Sequence, residues 1–126
     1  MRILIFTNWF PPIISGSSYY ASSLAQALTG RGHEVVVVTL DWGEADAPPA
    51  DRPFPIHRLP IVKIPKLGVF YHLQRMGFSF TPANCRRLKR LIEQYRPQLL
   101  HHVNHIFDST FLSTQVGHAC GLPVVG

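Results

Sequence analysis

Four valines in a row, Val35 to Val38, lie inside the run Glu34 to Leu40. β-branched side chains are stiff at χ1 and suit an extended chain. Successive residues of a strand point to opposite faces, so this run is apolar on both sides. Such a strand has to be covered above and below, which is the situation of an inner strand in a parallel sheet flanked by helices. The apolar run Arg2 to Thr7 is a second strand of the same kind. Between the two, Ser17 or Ser18 can cap a helix, because a serine hydroxyl accepts from a first-turn N–H. Tyr20, Leu24 and Leu28 recur every four residues with Ala21 and Ala25 beside them, which predicts one buried helix face. Gly30 and Gly32 supply the left-handed exit that ends many helices. Strand, helix and strand therefore follow one another as a βαβ unit, whose crossover is expected to be right-handed.

The remaining chain continues the alternation. Asp41 to Pro53 is a proline-rich surface loop carrying Asp41, Glu44, Asp46 and Asp51, four of the seven acids. Ile56 to Leu59 is a short third strand, and Pro60 to Phe80 is mixed, with Pro65 and Gly68 interrupting apolar and aromatic residues. Thr81-Pro82 has the form of an N-cap followed by proline at the first helical position. In the helix that runs from there to Tyr95, Cys85, Leu88, Leu91, Ile92 and Tyr95 share one face, and Pro97 stops it. Leu99 to Val103 is a fourth strand. Asp108 can cap a helix whose Leu112, Val116 and Cys120 turn inward, Gly121 ends it, and Pro123 to Val125 begins a fifth strand. This order predicts an α/β fold, a Rossmann-like doubly wound parallel sheet. A sheet that stops on Gly126, with no helix after its last strand, reads as apparently truncated.

Composition bounds the function. A chain of 126 residues with 46% apolar residues fits one core, and 15% charged residues is below the usual quarter, so little of it has a disordered composition. Twelve Lys and Arg against seven Asp and Glu leave a net charge of +5, which favours anionic partners. Eight of the basic residues fall between Lys63 and Arg96 (Lys63, Lys66, Arg75, Arg86, Arg87, Lys89, Arg90, Arg96), with Glu93 the one acid, and aromatic and aliphatic side chains are interleaved. A solvated helix face over a core explains this pattern; a surface for anionic lipid explains it too. No nucleic-acid-binding motif is present, and neither a secretory signal nor a membrane-length apolar run occurs, which points to the cytoplasm, with contact to the inner face of the membrane as an option. Cys85 and Cys120 have no metal-type spacing. His101 and His102 are expected on opposite faces of their strand, and no cysteine or carboxylate completes a metal set with them and His105. No metal or other cofactor is expected.

The loop from Asn8 to Gly16 leads from the first strand to a helix N-terminus, where unpaired N–H groups and the helix dipole attract phosphate. Ser15, Gly16 and Ser17 are the candidate phosphate-binding residues. Gly16 admits an anion close to the backbone, or merely makes the turn. Ser15-Gly16-Ser17-Ser18 lacks the glycine pattern of a dinucleotide site. His101, Asn104, His105 and Asp108 follow the carboxyl end of the fourth strand, the edge at which open α/β sheets bind ligands. For Asp108 a helix cap is an equal explanation.

Phe10-Pro11-Pro12, Ser15-Gly16 and Arg31-Gly32-His33-Glu34-Val35-Val36-Val37-Val38-Thr39 together resemble glycosyltransferase family 4. Arg96-Pro97-Gln98-Leu99-Leu100-His101 and Gly121-Leu122-Pro123-Val124-Val125 are similar to two later strands of that family. Where the family usually has two glycines this chain has Ser15-Gly16, and the second histidine of its H-x-H-N sequence is here Val103, while His101 and Asn104 match. The resemblance implies that residues 1–126 are the N-terminal, acceptor-side Rossmann-like domain of a GT-B glycosyltransferase, incomplete, with the C-terminal nucleotide-sugar domain absent. It implies metal-independent transfer of a sugar from a nucleotide-sugar donor to a lipid-linked or other glycan acceptor. Ser15, Gly16 and Ser17 would meet the donor phosphate, and His101, Asn104, His105 and Asp108 the acceptor. The family's donor-gripping glutamates belong to the other domain, so this chain by itself is expected to be inactive. A non-catalytic Rossmann-like module binding an anion at the Gly16 loop is the alternative.

Overall fold

The structure, a computed structural model, describes residues 1–43, 51–63, 77–104 and 108–126. Five strands form one parallel sheet: β1 (Arg2–Thr7), β2 (Glu34–Asp41), β3 (Ile56–Pro60), β6 (Leu99–Val103) and β7 (Val124–Val125), in the order β3-β2-β1-β6-β7. Every neighbouring pair in that sheet is parallel. All five strands anticipated from the sequence are present. The chain begins in the centre, steps outward to β2 and β3, then returns to the far side of β1. The strand order reverses between β1 and β6, and this junction opens a crevice at the carboxyl edge.

Among the described residues, three helices cover the sheet. On one face α1 (Gly16–Gly30) lies over Ile3, Ile5, Val35, Val37 and Val103; on the other α2 (Pro82–Tyr95) and α3 (Ser109–Ala119) enclose Leu4, Phe6, Val36, Val38 and Leu100. Alternate residues of each run thus enter different cores, which is why β1 and β2 are apolar throughout. Leu4, Ile5 and Phe6 are wholly buried, each worth about 1.5–3 kcal/mol relative to exposure.

The helix ends show where local chemistry overrides simple pattern. Ser15, not Ser17 or Ser18, caps α1: its backbone is extended and its Oγ accepts from the Ser18 N–H at 3.1 Å. The buried stripe of α1 is Ser18, Ala21, Ser22 and Ala25, with Leu24 and Leu28 packed at its flank, whereas Tyr20 is exposed. Small side chains let the helix lie close on the sheet, so the bulky i, i+4 series is pushed off the contact line. Thr81 caps α2 as expected, with Pro82 in its first turn, and Leu88 and Ile92 are buried together with Asn84. Gly32 and Gly121 have φ of +85° and +70° just after α1 and α3, whereas Gly30, expected to share the exit with Gly32, is the last residue of α1 and has no positive φ. After α2 the same role falls to a non-glycine, Arg96, with φ 46°.

Asp108 precedes α3 but makes no side-chain cap bond to it. Its carboxylate instead accepts from the backbone N–H groups of Ser79 and Phe80, each at 2.7 Å, and from the Ser79 hydroxyl at 2.9 Å. These bonds fix the segment after a small antiparallel ribbon, β4 (Val62–Lys63) and β5 (Gly77–Phe78), within the stretch whose sequence is mixed. Asn84 ties the ribbon to α2 by donating to the carbonyls of Pro60 (2.7 Å) and Ser79 (2.8 Å).

Candidate functional site

The crevice at the switch point is built by the N-terminus of α1 and the carboxyl end of β6. Gly16, Ser17, Tyr20, His101, His102, Val103, Asn104 and Gly126 line a cleft of about 420 Å³. Two groups of residues that are far apart in the chain and were selected for separate reasons therefore share one opening: Gly16 and Ser17 from the helix, His101 and Asn104 from the strand. Ser15 lies directly behind as the cap, its Oγ 3.3 Å from the Ser17 Oγ.

The first turn of α1 leaves donors directed at this cleft. Ser18 and Tyr19 give their N–H groups to Ser15, while those of Gly16 and Ser17 have no partner among the described residues. Gly16 does not have a left-handed backbone, and a Cβ built on it would meet nothing within 4 Å. Neither turn geometry nor packing demands a glycine there, and without a side chain the helix end is open.

His101 and His102 diverge as strand geometry requires. His101 is half-buried on the α1 side and lines the cleft. His102 is buried on the other side, stacked on Phe6 with ring centroids 5.5 Å apart. Asn104 ends the strand with φ +78°, and its Nδ2 approaches the Ser17 Oγ at 3.5 Å. Asp108 stands apart from these residues, its carboxylate held on Ser79 and Phe80. His105 lies outside the described residues. Among the described residues, no three His, Cys, Asp or Glu side chains gather as a metal site would require.

Several supporting residues carry no motif. Arg58 donates to the Pro11 carbonyl at 2.9 Å, and Arg52 lies 5.0 Å over the Phe10 ring while donating to the Ser22 Oγ at 2.7 Å. Both brace the 8–15 loop against β3 and α1. Asn8, at the carboxyl end of β1, accepts from the Ser109 hydroxyl and, at its carbonyl, from the Trp42 indole at 2.8 Å. A polar residue immediately after an inner parallel strand was a readable signal for Asn8; the two arginines gave none. Tyr20 also borders the cleft, although its spacing places it among core residues.

The basic stretch divides. Arg86, Arg87, Lys89 and Arg90 are exposed on the outer side of α2, where Lys89 and Glu93 form a loose pair at 3.9 Å. Val62, Phe78 and Phe80, on and beside the ribbon bonded to the start of α2, are each about half exposed or more (57%, 56% and 48%). Lys66 and Arg75 lie outside the described residues, as do the aromatic and aliphatic residues between 64 and 76. No helix among the described residues is long and apolar enough to cross a membrane.

Fold and cleft define a Rossmann-like α/β domain with an opening at its switch point. The sequence profile of Glycosyltransferase Family 4 matches residues 14–126, and the chain belongs to that family. Among solved structures it is similar to MurG of Acinetobacter baumannii, with 14% identity and a TM-score of 0.66 over 98% of this chain. The likeness is one of fold, and this chain spans 34% of that protein's length. No curated protein matches the chain.

Proposed function

We propose that this domain is the acceptor-side half of a glycosyl-transferring site, working with a nucleotide-sugar domain across the cleft. The observation that carries this reading is the single opening shared by the α1 N-terminus and the carboxyl end of β6. The Gly16 and Ser17 N–H groups, with the positive end of the helix dipole, suit the phosphate of a nucleotide-sugar donor. His101 and Asn104 offer side chains that can bond the hydroxyls of a glycan or lipid-linked acceptor. His105 and Asp108 belong to the same proposal, although Asp108 could reach an acceptor only by giving up bonds to Ser79 and Phe80. Placing donor phosphate and acceptor hydroxyl side by side is the main service such a site renders, since orientation accounts for a large part of the barrier.

The basic side of α2 and the exposed apolar residues of the ribbon support a second element of the proposal. A cytoplasmic protein whose acceptor carries a lipid needs to rest on an anionic membrane surface, and this face offers both charge and apolar contact.

The direct test is titration of the ¹⁵N-labelled chain with inorganic pyrophosphate, read by amide shifts. Saturable movement of Ser15, Gly16, Ser17 and Ser18 is the expected result. No movement there at millimolar pyrophosphate overturns the phosphate assignment.

A further inference from the structure

Buried histidines are usually packing, but the His102 ring is bonded to the backbone of Asn104 at the cleft. Its Nε2 stands 2.9 Å from the carbonyl oxygen of Asn104, and its Nδ1 stands 2.7 Å from the Ser113 Oγ on α3. A carbonyl only accepts, so Nε2 must carry a hydrogen. In the neutral ring Nδ1 is then an acceptor, and Ser113 must donate to it. The Ser113 hydroxyl also donates toward the Thr110 carbonyl at 3.2 Å, a longer contact, so beside a neutral ring its hydrogen is shared between that oxygen and the nearer nitrogen. Phe6, stacked nearly parallel at 14°, fixes the plane of the ring.

What this chain of bonds holds is an unfavourable backbone. Asn104 has φ +78°, in the left-handed region that non-glycine residues adopt infrequently, asparagine more readily than most. In that conformation its carbonyl turns inward to His102 and its side-chain amide turns outward to Ser17 at the start of α1. A strand continuing with ordinary φ would send the amide elsewhere. The two ends of Asn104 are thus coupled.

We infer that His102, in its Nε2–H form, is a positioning residue that holds Asn104 left-handed and so aims its amide at the α1 end of the cleft. The importance of this for ligand binding rests on the function proposed above; the positioning itself does not. The Asn104 carbonyl sets the tautomer, Ser113 satisfies the other ring nitrogen, and the bond from Nε2 holds the carbonyl so that the amide is oriented. His102 touches no ligand in this scheme.

The experiment uses the full chain with ¹⁵N labelling, as wild type, His102→Leu and His102→Gln. Glutamine can donate from Nε2 and accept at Oε1, whereas leucine fills the space against Phe6 without either bond. The imidazole nitrogen resonances of the wild type are expected to show a neutral ring protonated at Nε2. The Asn104 side-chain amide should shift in His102→Leu and return toward its native position in His102→Gln. Pyrophosphate affinity should fall about fivefold in the leucine variant, the loss expected when one hydrogen bond no longer orients its partner, and recover in the glutamine variant. A ring protonated at Nδ1 alone or at both nitrogens overturns the inference. So does a leucine variant with a cooperative melt in which Asn104 does not move. Should the leucine variant fail to fold, the wild-type tautomer and the glutamine variant still decide it. If the wild type does not bind pyrophosphate, the phosphate reading fails while the ring and amide signals continue to test His102.

Discussion

Ser79 is held twice by Asp108, through its backbone N–H at 2.7 Å and its hydroxyl at 2.9 Å, 29 residues away in the chain. With Phe80 added, one carboxylate closes the corner between the ribbon, α2 and the start of α3. Asp108→Asn keeps the shape but replaces one accepting oxygen by a donor facing an N–H or O–H. Bonds to a charged acceptor are worth more than neutral ones, so the loss of stability is expected to be about 2 kcal/mol. Urea denaturation of the two proteins measures it, and hydrogen exchange should accelerate at Ser79 and Phe80 first. Equal midpoints would show that the corner is held by Asn84 alone.

α3 lies close on the sheet at Gly117, where a Cβ would stand 2.6 Å from the Val124 Cγ2 and 3.5 Å from the Leu100 Cδ1. Gly117→Val is expected to cost about 1–3 kcal/mol by overpacking the contact of α3 with β7. Gly16→Ala, at a helix start with open space, should leave the melting temperature nearly unchanged. Comparing the two melts separates a glycine required by packing from one that packing does not require.

These two glycines also show what was legible in the sequence. The five strands, the Thr81 cap and the exits at Gly32 and Gly121 followed from local chemistry: continuous β-branched runs, a hydroxyl before a helix, glycine where φ is positive. Residues whose role depends on a distant partner were not legible. Asp108 looks like a cap because capping is a local property, while its bonds to Ser79 depend on how the chain returns. Tyr20 fits the i, i+4 series, yet the helix turns its small residues to the sheet. In the cleft, Gly16, Ser17, His101 and Asn104 were found because helix starts and strand ends are recognisable in isolation; Arg52 and Arg58 act from neighbouring elements and the His102 ring from the other face of β6, and none carries such a mark.

His57, on β3, has a pKa lowered by desolvation, and its Nε2 lies 2.8 Å from the Tyr95 hydroxyl. The unfolded chain takes up a proton as pH falls through 6.5, the ordinary value, while the folded protein resists it. The contribution of His57 is therefore fully present above pH 6.5 and declines as pH falls toward the folded value. Melting temperatures measured from about pH 7.5 to pH 5 should drop less steeply for His57→Gln than for the parent. Parallel curves would place the acid sensitivity elsewhere.

Vesicle binding tests the outer side of α2. Basic residues near an anionic surface add about 1 kcal/mol each, screened over about 8 Å at physiological salt. Co-sedimentation with phosphatidylserine-containing vesicles should weaken as salt rises from low to physiological. Replacing Arg86, Arg87, Lys89 and Arg90 together by Gln should weaken it further with no change in melting, because all four are exposed. Binding retained in full by the quadruple variant would make α2 a solvated face.

Gly16→Val addresses the centre of the proposed site. A phosphate has to come within about 3 Å of a nitrogen to use its N–H, and a branched side chain at the first residue of α1 stands in that approach. Gly16 has no left-handed backbone to strain and no neighbour within 4 Å of a built Cβ, so the usual reasons for a glycine substitution to unfold a protein are absent. Melting should stay within a degree or two, while pyrophosphate affinity should drop about tenfold or more, the equivalent of losing one or two charge-assisted bonds. Ser15→Gly restores the glycine pair usual in the family. It removes the hydroxyl that accepts from Ser18, yet glycine is itself a serviceable cap and the cost should be only a few tenths of a kcal/mol. Phosphate binding in Ser15→Gly is therefore expected to equal or slightly exceed that of the parent. If Gly16→Val melts normally and binds pyrophosphate as the parent does, the open end of α1 is not where phosphate sits, and the donor side of the cleft has to be sought on other residues.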